Sequence, residues 1–189
     1  FYIDFNKDTL YTYDDLLVAI NKSNSINKFI YTSNNFEIFL NLILSIIYDL
    51  PITLLDSDLS KIELQKLGIN SRNLDTKYFI KNNIYISIDN IIKKFNNTKH
   101  WKLTLFSSGT TGVAKKIVHT FDSISKAVRV SIKHKNNIWG FAYNPTHIAG
   151  IQVFFQAILN LNTIINLFKI KKDEIYELIK RYKITNISA

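Results

Sequence analysis

The residue types with the most chemical potential stand together at Ser107-Ser108-Gly109-Thr110-Thr111-Gly112, with Lys115 shortly after. Four hydroxyls and two glycines in six residues make a poor core element and a good anion cradle. Glycine lets the backbone turn so that successive N–H groups converge, and Ser and Thr hydroxyls add donors. Lys115 then supplies a point charge suited to a phosphate. Generic Gly/Ser/Thr clusters are also common as polar hairpin turns. The segment is not a Walker A loop, because G-x-x-x-x-G-K-[ST] requires Gly at position 114 and Ala114 stands there.

The elements around this cluster sharpen its meaning. Leu103, Leu105 and Phe106 among Trp101, Lys102 and Thr104 predict a short buried strand running into the cluster, and Lys116 to His119 predicts a second strand leaving it. The whole stretch from Leu103 to Thr120 resembles the phosphate-binding loop of the adenylate-forming superfamily, which includes acyl- and aryl-CoA synthetases, luciferases and peptide-synthetase adenylation domains. That family's signature is [ST]-[ST]-G-[ST]-T-G-x-P-K-G. Ser107 through Gly112 match it without a gap, and Lys115 matches its lysine. Ala114 departs from its Pro and Lys116 from its final Gly. Losing Pro removes a fixed φ angle from the loop.

A second chemical segment is Asn144-Pro145-Thr146-His147-Ile148-Ala149-Gly150. It lies between an expected strand over Ile138–Tyr143 and an expected helix over Ile151–Leu159, where α/β sheets place their ligands. A lone His after a strand is often a satisfied structural residue, and imidazole is also the side chain that changes charge near neutral pH. The segment resembles the family's P-x-x-H-x-x-G. In the acyl-CoA synthetases that His lies between the acyl pocket and the nucleotide, so the resemblance implies a catalytic role for His147 on the acid side.

Strands and helices alternate along the rest of the chain. Phe1–Phe5 and Leu10–Thr12 predict a hairpin around Asn6-Lys7-Asp8, and Thr12 with Asp15 predicts a helix start at Tyr13. Lys28–Tyr31 reads as a strand. Ser33 or Asn34 caps a helix over Phe36–Tyr48 that is apolar nearly all round and so belongs in a core. Further elements are expected as a strand over Ile52–Leu55, a helix over Asp58–Leu67 closed by Gly68, and a strand through Ile84, Ile86 and Ile88. Thr120 is expected to cap a helix from Phe121 to about Lys135. A strand over Thr163–Leu167, a helix from Asp173 and a strand over Ile184–Ser188 complete the pattern. This order gives an α/β class, a layered, largely parallel sheet flanked by helices. Thr12-Tyr13-Asp14-Asp15-Leu16 also resembles the family's T-Y-x-E-L, and Leu54-Leu55-Asp56 its P-L-D. Tyr48-Asp49-Leu50 replaces the small A-G pair of the family's turn.

Composition narrows the function classes. The chain has 189 residues, 47% of them hydrophobic, enough for about one domain or a piece of a larger one. The net charge of +9 invites a nucleic-acid reading, but only three of the 24 basic residues are Arg, and no run of like charge exceeds two. Scattered Lys is the ordinary composition of a solvated face, so no nucleic-acid partner is expected. There is no Cys, and four scattered His without H-x-x-x-H spacing suggest no protein metal site. No signal peptide is visible at FYIDFNKD, and a cytoplasmic location is expected. Ile148–Phe168 is uncharged over 21 residues, but Gln152, Gln156 and Asn160, spaced by four, form one polar edge of a buried helix, so no membrane span is expected.

The resemblance implies an enzyme. It would join a carboxylic acid to AMP using ATP and Mg²⁺, release pyrophosphate, and pass the acyl group to CoA, or to a carrier-protein thiol. Ser107, Ser108, Gly109, Thr110, Thr111, Gly112 and Lys115 would bind the ATP phosphates. Residues 1–189 would form the first part of the large N-terminal AMP-binding domain. The family's Y-G-x-T-E segment, ribose-binding Asp and C-terminal lid domain with its catalytic Lys are not in the sequence, so this stretch alone is expected to be inactive. A non-catalytic nucleotide- or phosphate-binding module is the alternative class.

Overall fold

The computed structural model describes residues 1–4, 7–81, 84–107 and 114–188. The chain opens with the expected hairpin, β1 (Tyr2–Asp4) paired antiparallel with β2 (Thr9–Tyr11). Thr12 and Asp15 start α1 (Tyr13–Lys22) with reciprocal bonds. The Thr12 N–H donates to Asp15 Oδ2 at 2.8 Å, and the Asp15 N–H donates to Thr12 Oγ1 at 3.0 Å. Next come β3 (Ser25–Asn27) and β4 (Phe29–Tyr31). Asn34 caps α2 (Asn35–Ile47), its Oδ1 accepting from the N–H groups of Phe36 and Glu37. The chain continues through β5 (Ile52–Leu55), α3 (Lys61–Lys66), α4 (Ser71–Leu74), β6 (Lys77–Phe79) and α5 (Ile88–Phe95). Then follow β7 (Leu103–Ser107), β8 (Lys115–His119), α6 (Phe121–Ser125), β9 (Ile138–Phe141) and α7 (Ile148–Ile158). The last elements are β10 (Thr163–Asn166), α8 (Lys172–Tyr182) and β11 (Asn186–Ser188).

Three expectations are corrected. The helix expected from Asp58 starts at Lys61, because Ser60 and Glu63 form a capping box and the Asp58 N–H is taken by Asp56 Oδ1 at 3.0 Å. No strand runs through Ile84, Ile86 and Ile88. Ile84 and Ile86 are 87% and 83% exposed, and Ser87 caps α5, which begins at Ile88. The helix expected over 121–135 ends at Ser125. Beyond it the backbone is satisfied by side chains of α7 and the turn after it. The Arg129 N–H donates to Gln156 Oε1 at 2.9 Å, Gln156 Nε2 and Asn160 Nδ2 donate to the Arg129 carbonyl, and the Ser131 N–H donates to Asn160 Oδ1 at 3.2 Å. With its backbone groups committed there, the segment has no need of helical i→i−4 partners. Val128, Val130 and Ile132, all β-branched, also lower its helix propensity.

The chain divides into two compact units, Leu17–Ser123 and Phe1–Leu16 with Ile124–Ala189. The first unit holds a four-stranded sheet of order β4-β5-β7-β8, parallel except at the β7–β8 edge, and an antiparallel β3-β6 ribbon. Registers place Ile30, Ile52, Leu54, Leu103 and Leu105 on one face, all buried. Leu55, Leu64 and Ile69 form a smaller cluster with Phe29 and Phe106 beside it.

The second unit holds a five-stranded sheet of order β11-β9-β10-β1-β2, parallel except for β1–β2. Ile165, Leu167 and Leu178 form one of its clusters, and Phe141, Phe154, Phe155 and Ile164 are fully buried. Asn162, 1% exposed, ties the unit together. Its Oδ1 accepts from the Trp139 indole at 3.2 Å, its Nδ2 donates to the carbonyls of His134 and Lys135, and its carbonyl accepts from the Tyr13 hydroxyl. The α/β class with largely parallel sheets thus stands, with two principal sheets where one was expected. No helix among the described residues is long and apolar enough to cross a membrane. The uncharged run from Ile148 is divided into α7 and β10.

Candidate functional site

The strand pair expected around the Gly/Ser/Thr cluster is a regular hairpin. β7 and β8 pair antiparallel, with Leu103 opposite His119, Leu105 opposite Ile117, and Ser107 opposite Lys115. Residues directly opposite share a face, so the strands set the Ser107 and Lys115 side chains next to one another where β7 ends and β8 begins. Lys116 pairs with Phe106 and falls on the other face. Ser107 is half-buried, and both lysines are exposed. Ser108, Gly109, Thr110, Thr111 and Gly112 lie outside the described residues.

β7 is anchored at its start by a residue the sequence reading had noted only as a replacement. Asp49 follows α2 in a left-handed conformation, φ 54°. Its carboxylate accepts three consecutive backbone N–H groups, from Lys99 at 3.1 Å, His100 at 2.9 Å and Trp101 at 2.7 Å. Partial burial pushes the Asp49 carboxyl up, but the N–H groups of His100, Lys99 and Trp101 together hold it below the usual carboxylate range. The Trp101 indole then donates to the buried Ser45 Oγ at 2.8 Å. The signal was an acid where the family has small residues, two positions before Pro51.

His147 belongs to the other unit. It is the N-cap of α7, with φ −97° and ψ 153°, and its side chain makes no capping bond. The helix therefore starts three residues earlier than expected. The turn before it is built by Asn144, whose Oδ1 accepts from the Thr146 N–H at 2.9 Å and Oγ1 at 2.7 Å, and whose carbonyl accepts from the His147 N–H at 3.1 Å. Pro145 and Thr146 are buried, and the His147 side chain is exposed. Gly150 is required here: a Cβ would lie 2.4 Å from the Asn144 carbonyl oxygen. Pro145 and His147 are separated by one residue, so the spacing is one shorter than P-x-x-H.

This turn follows the carboxyl end of β9. Beside that end the other parallel strands finish in polar residues the sequence reading did not single out: Asp4 of β1, Asn166 of β10 and Ser188 of β11. Asp4, 4% exposed, accepts from the Tyr2 hydroxyl at 3.2 Å and from Asn166 Nδ2 at 3.3 Å. A single Asp in a short hairpin carries no sequence signal that separates it from a surface residue. Among the described residues no group of three or more His, Asp or Glu could hold a metal ion.

The arrangement of these elements recurs in solved structures. O-succinylbenzoate CoA synthetase (MenE) from Bacillus subtilis, in complex with the acyl-adenylate intermediate OSB-AMP, superposes with a TM-score of 0.66 at 17% identity, covering 97% of this chain and 56% of that one. The same enzyme in complex with ATP and magnesium ion gives 0.67 at 17% identity, over 100% of this chain and 46% of that one. The N-terminal domain of FACL13 from Mycobacterium tuberculosis, bound to an inhibitor, gives 0.66 at 14% identity, over 100% and 58%. The fold is that of the adenylate-forming enzymes. A luciferase-like enzyme from the mealworm Zophobas morio shares it, with a TM-score of 0.61 at 16% identity, over 98% and 54%. The chain spans about half the length of these structures and has the adenylate-forming fold of their N-terminal part. No family model and no curated protein matches it.

Proposed function

We propose that the protein activates a carboxylic acid as its acyl-adenylate. An oxygen of the carboxylate attacks the α-phosphorus of ATP, the bond from that phosphorus to the β-phosphate bridging oxygen breaks, and pyrophosphate leaves with the electron pair. Ser107 to Gly112 and Lys115 stabilise the charge that accumulates on the departing pyrophosphate. Mg²⁺ carried in by the ATP phosphates would neutralise part of the same charge. His147 contacts the acid. In a second step the sulfur of CoA attacks the acyl carbon, AMP leaves, and the thiol proton passes to solvent. A carrier-protein thiol is the other acceptor this chemistry admits.

The β7–β8 hairpin carries this reading, because it pairs Ser107 with Lys115 at the two ends of a Gly/Ser/Thr segment. The adenylate-forming fold supports it. In this reading residues 1–189 carry the phosphate loop and part of the acyl site of the N-terminal AMP-binding domain, and the activity belongs to the complete protein.

The test is acid-dependent exchange of labelled pyrophosphate into ATP by the complete protein, across a panel of carboxylic acids. Exchange that needs one class of acid and falls in Lys115→Ala is the expected result. ATP binding without exchange for any acid would overturn the catalytic step and leave a nucleotide-binding module.

A further inference from the structure

The face of the four-stranded sheet that carries Lys116 differs from the one that carries Lys115. Registers put Phe29, Thr53, Thr104, Phe106 and Lys116 on it together. These side chains floor an open groove of about 370 Å³, walled by the end of α3 at Lys66 and the turn after it through Gly68 to Ile69. That volume falls within the range of small-molecule sites, roughly 300–1,000 Å³.

The lining has a consistent chemistry. Phe29 and Phe106 are half-buried and offer apolar surface. Thr53 and Thr104 offer hydroxyls between them. Lys66 and Lys116 are exposed cations, and among the described residues no acid lines the groove. The acid nearest along α3, Glu63, lies outside the lining: its Oε2 accepts from the Ser60 N–H at 2.7 Å and from Ser60 Oγ at 2.6 Å, and its charge also interacts with that of Lys66. Gly68, at φ +74°, keeps the α3 wall low, with nothing within 4 Å of the place a Cβ would take. Both positions that depart from the phosphate-loop signature, Ala114 and Lys116, are among the lining residues.

We propose that this groove binds a small carboxylate with an apolar body, of the size and kind of benzoate, with its ring against Phe29 and Phe106 and its carboxylate toward Lys116. The site lies on the face opposite Lys115 and does not depend on the proposed adenylation chemistry. Two positive charges without a lining acid select an anion, and the aromatic walls select one with a ring or short alkyl body over a fully hydrated ion.

The experiment is a benzoate titration of the protein, without ATP, followed by ¹H–¹⁵N NMR. The expected result is saturable shifts of the Thr53, Gly68, Thr104 and Phe106 amides. Affinity should weaken roughly three- to fivefold in Lys116→Gln, the scale of an exposed ion pair, and more in Lys66→Gln/Lys116→Gln. Thr104→Val, nearly isosteric, should weaken binding without changing the fold. No saturable shift at millimolar benzoate, shifts that map elsewhere, or equal affinity in Lys116→Gln would overturn the proposal. Inorganic phosphate binding as tightly as benzoate would overturn the role of the aromatic walls.

Discussion

Replacing Gly150 by Ala tests how the His147 turn is held. In an ordinary helix interior Gly→Ala stabilises by about 1 kcal/mol. At this site the new methyl carbon would meet the Asn144 carbonyl oxygen at 2.4 Å, its carbon at 3.1 Å and Pro145 Cα at 3.2 Å. Comfortable non-bonded contacts begin near about 3.5 Å. The obstacle is backbone, and it is tied down by the His147 N–H donating to the Asn144 carbonyl and by Thr146 donating to Asn144 Oδ1. Moving it costs about 1–3 kcal/mol of overpacking and about 1 kcal/mol for a lost or stretched hydrogen bond. Set against the helix-propensity gain, the net is a loss of about 1–3 kcal/mol. For a chain of this length that lowers Tm by on the order of 5 °C. Urea denaturation of Gly150→Ala and Gly68→Ala measures it. Gly68 has a positive φ and open space around it, so its loss is backbone strain alone, about 1 kcal/mol. If the complete protein has the proposed activity, Gly150→Ala also raises its KM for the acid, since the same shift displaces His147. A Gly150→Ala protein as stable as its parent, or more so, would refute the close approach and the reasoning built on it.

Under the proposed activity, Lys115→Ala in the complete protein should lower kcat/KM for ATP by roughly 10–100-fold, the worth of a charge-assisted contact, while Lys116→Ala changes it little because the two lie on opposite faces. Equal losses, measured by steady-state kinetics, would show that the wrong lysine is assigned. His147→Ala should raise KM for the acid and leave KM for ATP and Tm nearly unchanged; a fall in Tm with unchanged kinetics would make the residue structural. Asp49→Asn should destabilise by about 1 kcal/mol, since it exchanges a charged acceptor of three N–H groups for a neutral one at a partly buried site. Its carboxyl is held low in the folded state, so its contribution is full above the unfolded pKa of about 3.9 and is lost as pH falls through the folded value. Acid denaturation followed by circular dichroism should therefore show a shallower loss of stability below about pH 4 in Asp49→Asn.

Much of the local structure was legible in the residues themselves. The Thr12–Asp15 start of α1, the Asn34 cap of α2, the Gly68 stop after α3 and the β7–β8 hairpin around the Gly/Ser/Thr cluster all rest on partners within a few residues. Local hydrogen bonds and short-period burial leave a pattern that spacing records. From that pattern followed the α/β class and the two strands that flank the Gly/Ser/Thr cluster.

What the tertiary structure alone decided depends on groups far apart in sequence. Helix α6 stops at Ser125 because Gln156 and Asn160 hold the backbone of Arg129 and Ser131, about thirty residues away. Ile84 and Ile86 alternate like a strand and yet join no strand among the described residues, while β3 and β6, with no clear period of their own, pair with each other. The Asp49 clamp reaches fifty residues ahead. Lys115 and Lys116 are equivalent as letters, and only the register of β8 on β7 turns one toward the face of Ser107 and the other into the groove beside Phe106. Burial and pairing are won by whichever distant partner satisfies the backbone, and a one-dimensional pattern does not contain the partner's position.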